Sequence, residues 1–350
     1  MKYPYSTASI CSLNTIFQKK TKVKTMQNAH KNLEKNEHIK LPPSLRGGWG
    51  GEKIGSGGGA GSTCNAVFLL FAAWILAFFN SCEEVPPYID FTQTLSDTTY
   101  IDAVETPQAR FVILEEFTGV RCVNCPIGHE ISKGLLTSNP GRFAYVALHA
   151  GFLTAPYAES QQQFVIDEST FLYDFLESPA VPSAAINRVK YPGENFLSIL
   201  NPNAWASKVT QELQKPTPVN LHLTTNYDPD TRNLRVTARI NYTQTVSADN
   251  NLSIYLAESH IVDPQLIPSG ISSAVKPDYE HNHVVRDMLT APQGLSLAGI
   301  DKTAGRVIIK VFETTLPNNW VAENCEITAL VHNAGPDKEI LQGASVKLFP

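Results

Sequence analysis

In the middle of the chain, two short apolar runs are separated by a segment whose apolar residues recur at the spacing of a helix. The run Phe111–Leu114 is too short for a helix and predicts a buried strand, and a second run, Arg142–His149, predicts another. Between them, apolar residues in Ile127–Leu136 recur at the spacing of one helix face. Two strands joined by a helix predict a βαβ unit, in which the strands run parallel.

The residues after this unit predict an insertion and a closing helix. Gly151–Glu177 carries aromatic residues and leucine at helical spacing, and Asn203–Gln214 predicts a helix with Asn203 as its cap. Together these segments predict an α/β domain over residues 107–215, with its boundary at Pro216–Pro218.

From Val219 onward the pattern changes to alternation of apolar and polar residues. This alternation continues on both sides of the turn Asp228–Asn233, which predicts a hairpin. Several short alternating strands predict an all-β domain over residues 216–350, a sandwich of immunoglobulin-like type. Its further strands are predicted at Leu252–Ser259, Arg306–Phe312, Cys325–His332 and Ala344–Phe349.

The first sixty residues do not predict a folded domain. Met1–Ser62 is rich in lysine, asparagine and glycine and lacks apolar periodicity, so we expect it to be disordered or to precede the true start codon. Its glycine-rich run Gly55–Gly61 lacks the lysine and the preceding strand of a phosphate-binding loop.

An export signal is predicted next, over residues 63–81. Ala66–Phe79 is an uninterrupted apolar run of signal-peptide length, shorter than the roughly twenty residues that span a bilayer. It ends in Asn80–Cys82, which resembles a lipoprotein signal whose cysteine, here Cys82, is acylated. A short membrane anchor with an incidental cysteine is the alternative. Glu83–Glu84 resembles the acidic export signal of Bacteroidetes surface lipoproteins, and residues 82–106 are predicted to tether the fold to the membrane.

Composition narrows the classes of function. The chain of 350 residues is 43% hydrophobic with a net charge of −5, which indicates a globular protein without the basic stripe that nucleic acid requires. Of its six cysteines only Cys122 and Cys125 form a local pair, so the chain is not a disulfide-stapled small domain. Cys325, in an apolar strand, is interpreted as a buried thiol. No cofactor is predicted.

The cysteine pair lies where the first predicted strand ends and the helix begins. Cys122 and Cys125 follow a glycine-containing turn, and Pro126 comes next, where the first turn of a helix tolerates proline. This pattern predicts Cys122 at the helix N-terminus, where the helix dipole and free amides stabilise a thiolate, and Arg121 adds a positive charge. His149 ends the second strand and is expected at the same edge of the sheet, a candidate for the substrate edge.

A strand, a CxxC and a helix in this order predict a thioredoxin-like redox site. Two alternatives stay open. One is half of a zinc site, for which no second CxxC supplies the missing ligands. The other is a structural disulfide that takes no part in exchange. His281 and His283 could form a metal pair, but no third ligand is evident nearby, so no metal site is predicted.

Two further residues resemble the thioredoxin superfamily. Pro182 lies where that superfamily has a cis-proline before a strand, and Glu116, six residues before Cys122, lies where it has a buried acid. The resemblance implies that Cys122 attacks a substrate disulfide, that Cys125 resolves the mixed disulfide with Glu116 as proton acceptor, and that Pro182 shapes the substrate groove. Arg121 stands where the superfamily has tryptophan.

Four longer motifs resemble one family, the outer-membrane lipoproteins related to a 28-kDa outer-membrane protein of Bacteroidetes. The resemblance implies an outer-membrane location, facing the periplasm or the cell surface, with the membrane contacted through a lipid on Cys82. The motifs are LEEFTGVRCVNCP at Leu114–Pro126, VALHAG at Val146–Gly151, SPAVPSAAINR at Ser178–Arg188 and YEHNHVVRDML at Tyr279–Leu289.

Two functions therefore compete, and whether the chain is an enzyme stays open. The first is thiol–disulfide exchange on protein thiols and disulfides of the cell envelope. The alternative is a surface binding protein or adhesin that uses the thioredoxin fold as a scaffold, with Cys122 and Cys125 in a structural disulfide. A metal- or haem-handling role would depend on His149, His281 and His283 alone.

Overall fold

Three β-sheets and three α-helices make up residues 96–349, the part of the chain that the computed structural model describes. The predicted extension, the predicted signal and Cys82 lie outside these residues. Strands predominate and helices are few, as predicted for the C-terminal half. The strands are β1 (Thr98–Ile101), β2 (Val112–Thr118), β3 (Phe143–His149), β4 (Ser183–Ile186), β5 (Val219–Asp228), β6 (Asn233–Tyr242), β7 (Asn250–Glu258), β8 (Ile261–Ser269), β9 (Ser272–His281), β10 (Val284–Met288), β11 (Leu295–Ser296), β12 (Arg306–Thr315), β13 (Cys325–Asn333) and β14 (Ile340–Lys347). The helices are α1 (Cys125–Ser138), α2 (Asp167–Phe175) and α3 (Trp205–Leu213), with short 3₁₀ turns at Pro202–Ala204 and Ala322–Asn324.

The predicted βαβ unit forms the centre of the largest sheet. β2 and β3 run parallel in register, from Val112 opposite Phe143 to Thr118 opposite His149, and every residue of both strands is buried. Strands covered on both faces read as continuous apolar runs, which is why their pattern shows no alternation. β4 pairs antiparallel with β2 on its other side.

The sheet does not end at the predicted boundary near Pro216–Pro218. Its strand order is β14-β13-β7-β10-β3-β2-β4, with β11 also paired to β7, so strands from both predicted domains form one sheet. β10 joins the halves, antiparallel to β7 and parallel to β3, where the Ala147 amide donates to the His283 carbonyl at 2.8 Å. The described residues, 96–349, accordingly cluster as one compact unit.

A second sheet, β1-β12-β6-β5, packs face to face on the β7–β13 part of the first. Its inward side chains alternate along β6, with Val236, Ala238 and Ile240 buried, and they meet Ile254 of β7 and Ala329 of β13 in one core. β1 lies within the predicted tether, so the last part of that segment is an edge strand of this sheet.

The helices cover the two faces of β2, β3 and β4. α1 and α3 lie on one face, where Trp205 and Val209 pack on Val112, Leu114 and neighbouring residues. α2 lies on the other face, where Leu172 and Leu176 pack in a core that includes Phe117. α3 is preceded by a 3₁₀ turn whose cap is Asn201 and not Asn203, because the Asn201 side chain accepts the Asn203 amide.

β8 and β9 form a hairpin that the sequence pattern did not predict. They pair along their length, from Ile261 opposite His281 to Ser269 opposite Ser272. Within residues 96–349 the pair makes a two-stranded sheet of its own, and most of β9 is exposed. The hairpin carries Pro264, Pro268 and Pro277, and proline weakens a strand prediction because it cannot donate to a ladder.

Candidate functional site

The two cysteines of the CxxC are joined in a buried disulfide at the carboxyl end of β2. Cys122 and Cys125 are bonded to each other, with Cα atoms 5.4 Å apart, and are 2% and 0% exposed. Two turn hydrogen bonds close the loop: the Cys122 amide donates to the Gly119 carbonyl at 3.0 Å, and the Cys125 amide donates to the Cys122 carbonyl at 3.3 Å. α1 begins at Cys125, so Cys122 lies in the turn before the helix and not at its N-terminus as predicted.

The Arg121 side chain contacts the loop after β3. Its guanidinium donates to the carbonyls of Ala155 and Pro156, at 2.6 and 2.9 Å, and lies 4.3 Å from the centre of the Tyr157 ring. These contacts hold the loop after β3 against the CxxC loop. The sequence predicted that the charge of Arg121 stabilises a Cys122 thiolate. The contacts of the Arg121 side chain in the described residues are with the loop after β3 and do not include Cys122.

Glu116 lies beneath the face of α1 that carries Cys125. The buried residues of α1 are Cys125, Gly128 and Ser132, which occupy one face at helical spacing. The Ser132 hydroxyl donates to Glu116 Oε2 at 2.7 Å, and a Cβ at Gly128 would lie 2.5 Å from Glu116 Oε1. The buried acid and the second cysteine thus share the same packed surface.

Burial determines the protonation of Glu116. Its side chain is fully buried, and Oε1 has no hydrogen-bond partner among the described residues. Desolvation raises its pKa from 4.5 to about 8, and the Ser132 hydrogen bond lowers it only in part. At neutral pH the carboxyl is therefore mostly protonated and can give a proton.

His129, which the sequence did not single out, connects Glu116 to the hairpin. Its Nε2 lies 2.8 Å from Thr118 Oγ1 and 3.8 Å from Glu116 Oε1, and its Nδ1 lies 2.7 Å from the Tyr279 hydroxyl of β9. Desolvation and the neighbouring His281 lower the pKa of His129 to about 3. Because the raised pKa of Glu116 and the lowered pKa of His129 leave both groups mostly neutral at pH 7, their contact is not an ion pair.

His149 is buried and not at an open substrate edge. It is 1% exposed, and neither ring nitrogen meets a hydrogen-bond partner within residues 96–349. Its ring lies 4.7 Å from Phe164 and 5.8 Å from His281, and desolvation lowers the pKa of both imidazoles, that of His281 to about 4. Together with His129 and Tyr279 they line a cavity of about 260 Å³.

The structure separates the two histidines of the His281-Asn282-His283 segment. His281 lines this cavity, whereas His283 packs on Tyr145, with the two rings tilted and 4.2 Å between their centres, and pairs with Glu326. In the part of the chain that the structure describes, no three or more His, Cys, Asp or Glu side chains are arranged to hold a metal ion. Cys325 is a free, buried thiol, and burial raises its pKa to about 12.

Pro182 lies beside the carboxyl end of β2. The Val181–Pro182 peptide bond is cis, and Ser183, the next residue, pairs with Phe117 of β2. Pro182 is partly exposed. The structure therefore brings Cys122, Cys125, Glu116 and Pro182 to one end of the sheet.

The β8–β9 hairpin contacts the CxxC loop through two adjacent residues of β8, Gln265 and Leu266. The Leu266 amide donates to the Val120 carbonyl at 2.8 Å. Nε2 of Gln265, a fully buried residue, lies 3.1 Å from the Cys122 carbonyl and 3.3 Å from the Gly119 carbonyl. No local sequence signal pointed to Gln265 or Tyr279, because both reach the site across more than 140 residues of chain.

Comparison with known proteins finds a family match over the C-terminal part of the chain and solved structures to which the chain is similar. A family model for outer membrane protein Omp28 matches residues 169–348. HBP35 of Porphyromonas gingivalis has a TM-score of 0.52 and 20% identity, covering 69% of this chain and 76% of that chain. A domain of the outer membrane lipoprotein Omp28 from Porphyromonas gingivalis has a TM-score of 0.26 and 16% identity, covering 38% of this chain and 88% of that chain. No curated protein matches this chain.

These likenesses bear on different parts of the chain. The family match includes β4, the hairpin and every strand of the second sheet except β1, and it begins after the CxxC. At its level of identity, the likeness to HBP35 bears on the fold alone. Among the helices of residues 96–349, none is both long and apolar enough to cross a membrane.

Gly128 leaves space for the Glu116 side chain, so we expect an added methyl group there to destabilise the protein. Gly134, in the same helix, serves as the control. In a helix interior, glycine to alanine normally stabilises by up to about 1 kcal/mol. We expect this gain from Gly134→Ala, since an added Cβ there meets nothing within 4 Å in the described structure. Gly128→Ala should instead destabilise by about 1–3 kcal/mol, because its Cβ meets Glu116 and Trp205. Urea unfolding measures both, and equal stabilisation by the two variants would contradict this packing.

The raised pKa of Glu116 predicts a pH dependence of stability. Between pH 4.5 and about 8 the folded protein keeps a proton that the unfolded chain has lost, so the stability from the protonated acid is complete below pH 4.5 and is lost as pH rises through 8. Glu116→Gln is neutral at every pH and lacks this loss. We expect the variant to gain on the order of 4 kcal/mol relative to wild type between pH 5 and pH 9 in urea unfolding. A difference that does not change with pH would contradict the assignment.

Proposed function

The chain belongs to the outer membrane protein Omp28 family, and on that premise we propose that it is a lipid-anchored thiol–disulfide exchange protein of the outer membrane. The location follows from the family. The exchange chemistry does not, because the family match covers residues 169–348 and the cysteine pair lies outside it. The proposal of exchange therefore depends on the site itself.

One observation carries the proposal: a fully buried carboxyl, that of Glu116, lies against the helix face that begins with Cys125. A structural disulfide needs no such acid, and an unpaired buried carboxyl is costly to keep. The arrangement of β2, CxxC, α1 and parallel β3, with antiparallel β4 preceded by Pro182, also supports a thioredoxin-like site. Glu116 is the residue that distinguishes exchange from a simple cross-link.

The disulfide in the structure corresponds to the oxidised form, so the reaction begins with a substrate dithiol. A substrate thiolate attacks the Cys122 sulfur, forming a mixed disulfide and releasing Cys125 as a thiolate, which takes the proton of Glu116. The second substrate thiol, after losing its proton, attacks the substrate sulfur of the mixed disulfide and releases Cys122. The substrate leaves with a disulfide, and Cys122 and Cys125 are reduced by two electrons. In the reverse direction Glu116 accepts the proton that Cys125 loses.

Pro182 and His129 support this reaction without exchanging electrons. Pro182, beside the end of β2, would border the path of a substrate chain toward Cys122. His129, hydrogen bonded to Thr118 and Tyr279, would transfer protons between Glu116 and the cavity. Protein thiols and disulfides of the cell envelope are the proposed partners.

A second function has an observation in its favour. Both sulfurs are buried beneath the hairpin, which is the environment of a permanent cross-link. The chain would then be a binding protein of the outer membrane, with its ligand contacted elsewhere. The reduction potential of the pair separates the two functions, since structural disulfides of exported proteins lie below about −300 mV.

Anchoring by Cys82 is tested by its removal. We expect the mature chain to begin at an acylated Cys82, since acyl chains supply the membrane affinity that the short apolar run lacks. Cys82→Ser should leave the membrane fraction, whereas Cys64→Ser, inside the predicted signal, should fractionate as wild type. Retention of Cys82→Ser in the outer membrane, measured by fractionation and by mass of the N-terminal peptide, would contradict lipid anchoring.

The redox function is tested by titration against glutathione. We expect the Cys122–Cys125 pair to equilibrate at a potential between about −120 and −270 mV, the range of thiol–disulfide oxidoreductases. Alkylation of the quenched thiols followed by mass spectrometry measures the reduced fraction, and Cys122→Ser, which cannot form the pair, sets the background. A pair that stays oxidised throughout the titration would replace this function with the structural one.

A further inference from the structure

We infer that the β8–β9 hairpin is a movable cover of the Cys122–Cys125 disulfide, latched by Gln265, and that exchange requires the hairpin to leave the CxxC loop. This inference deepens the proposed function and rests on it. The hairpin takes no part in the chemistry; it determines whether a thiolate can reach the Cys122 sulfur.

The latch consists of hydrogen bonds to the loop that carries Cys122. The Gln265 amide group donates toward the carbonyls of Gly119 and Cys122, and the Leu266 amide donates to Val120. Three successive parts of the loop are thus held by two adjacent residues of β8. Cys122 is 2% exposed in this arrangement, so its sulfur is shielded from an attacking thiolate.

The hairpin is attached to the body in a way that permits displacement. Among the described strands, β8 and β9 pair only with each other, so no ladder of the large sheet breaks when they move. The apolar contact beneath the hairpin is a small cluster around Val120, Phe164, Ile261 and Val284. Gln265 Oε1 is buried and accepts no hydrogen bond from any residue the structure describes, a cost that displacement relieves.

At each end of the hairpin one residue has a strained backbone conformation, which makes these two positions candidate hinges. His260, directly before β8, has φ +59°, and His283, two residues after β9, has φ +53°. Residues other than glycine rarely adopt these conformations, which cost free energy and persist only when the surroundings hold them. Here the His260 amide donates to Asn282 Oδ1 at 3.1 Å and the His283 amide donates to Ser259 Oγ at 3.0 Å. Two further contacts join the hairpin to the body: Tyr279 with His129 at 2.7 Å, and the Gln161 amide with Asp263 at 2.7 Å.

The rate at which dithiothreitol reduces the disulfide in the purified full-length protein tests the cover. In this assay both thiols of dithiothreitol are oxidised to a cyclic disulfide, and Cys122 and Cys125 become thiols that are alkylated and counted by mass. Gln265→Leu keeps the size of the side chain and removes its hydrogen bonds to the loop. We expect reduction about tenfold faster than in wild type under native conditions, which corresponds to a shift of roughly 1.4 kcal/mol in the opening equilibrium.

Gln342→Leu is the matched control, since Gln342 is an equally buried glutamine whose partners, Phe111, Gln108 and Ala109, lie away from the hairpin. Its reduction rate should stay within twofold of wild type even though it loses stability. Tyr279→Phe removes the hydrogen bond with His129 and should accelerate reduction several-fold. This variant therefore provides a second test if Gln265→Leu does not fold.

The outcomes separate the cover from the proposed function. Rates of Gln265→Leu or, if it does not fold, Tyr279→Phe within twofold of wild type would overturn the cover, as would equal acceleration in Gln342→Leu. Faster reduction in Gln265→Leu together with a potential below about −300 mV would keep the cover and overturn the exchange function. A potential in the oxidoreductase range with unchanged variant rates would do the reverse.

Discussion

The position of the CxxC depends on a buried ion pair that joins its strand to the other half of the sheet. Glu115 of β2 forms a bidentate pair with Arg188, at 2.7 and 2.9 Å, and accepts a hydrogen bond from Tyr255 of β7, with all three residues fully buried. Removing one member of such a pair typically costs about 3–5 kcal/mol, because the other charge stays buried without a partner. β2 is thereby held in place from the side opposite to α1.

Neighbouring acids on β2 have different roles because successive side chains of a strand point to opposite faces. Glu115 faces the core around α2 and meets a guanidinium, so it fixes the strand. Glu116 faces α1 and meets only hydroxyl and neutral groups, so burial raises its pKa and leaves it with a proton to give. The same strand therefore supplies both the anchor of the site and its acid.

The sequence predicted what local patterns encode and missed what the fold brings together over long distances. The strand, the CxxC and the helix were predictable from local patterns within twenty residues, and the acid at Glu116 was predictable from the resemblance to the thioredoxin superfamily. The cover was not, because Pro264, Pro268 and Pro277 interrupt the strand pattern and the contacts of Gln265 form only after folding. The continuous sheet was missed for a related reason: a boundary rich in proline suggested two domains, but strand pairing across it is a tertiary event that composition does not report.

The exclusion of water affects both the protonation of Glu116 and the access of a substrate to Cys122. Glu116 keeps its proton at neutral pH only while water is excluded, since its pKa is raised by desolvation. The same exclusion buries the Cys122 sulfur and would prevent exchange if it were permanent. Under the proposed function, a cover that opens for a substrate and closes again reconciles the two requirements, because Glu116 would take up its proton in the closed form and give it to Cys125 in the open form. The hairpin that carries Gln265 is attached in the manner that this cycle requires, by side-chain and single main-chain contacts instead of a sheet ladder.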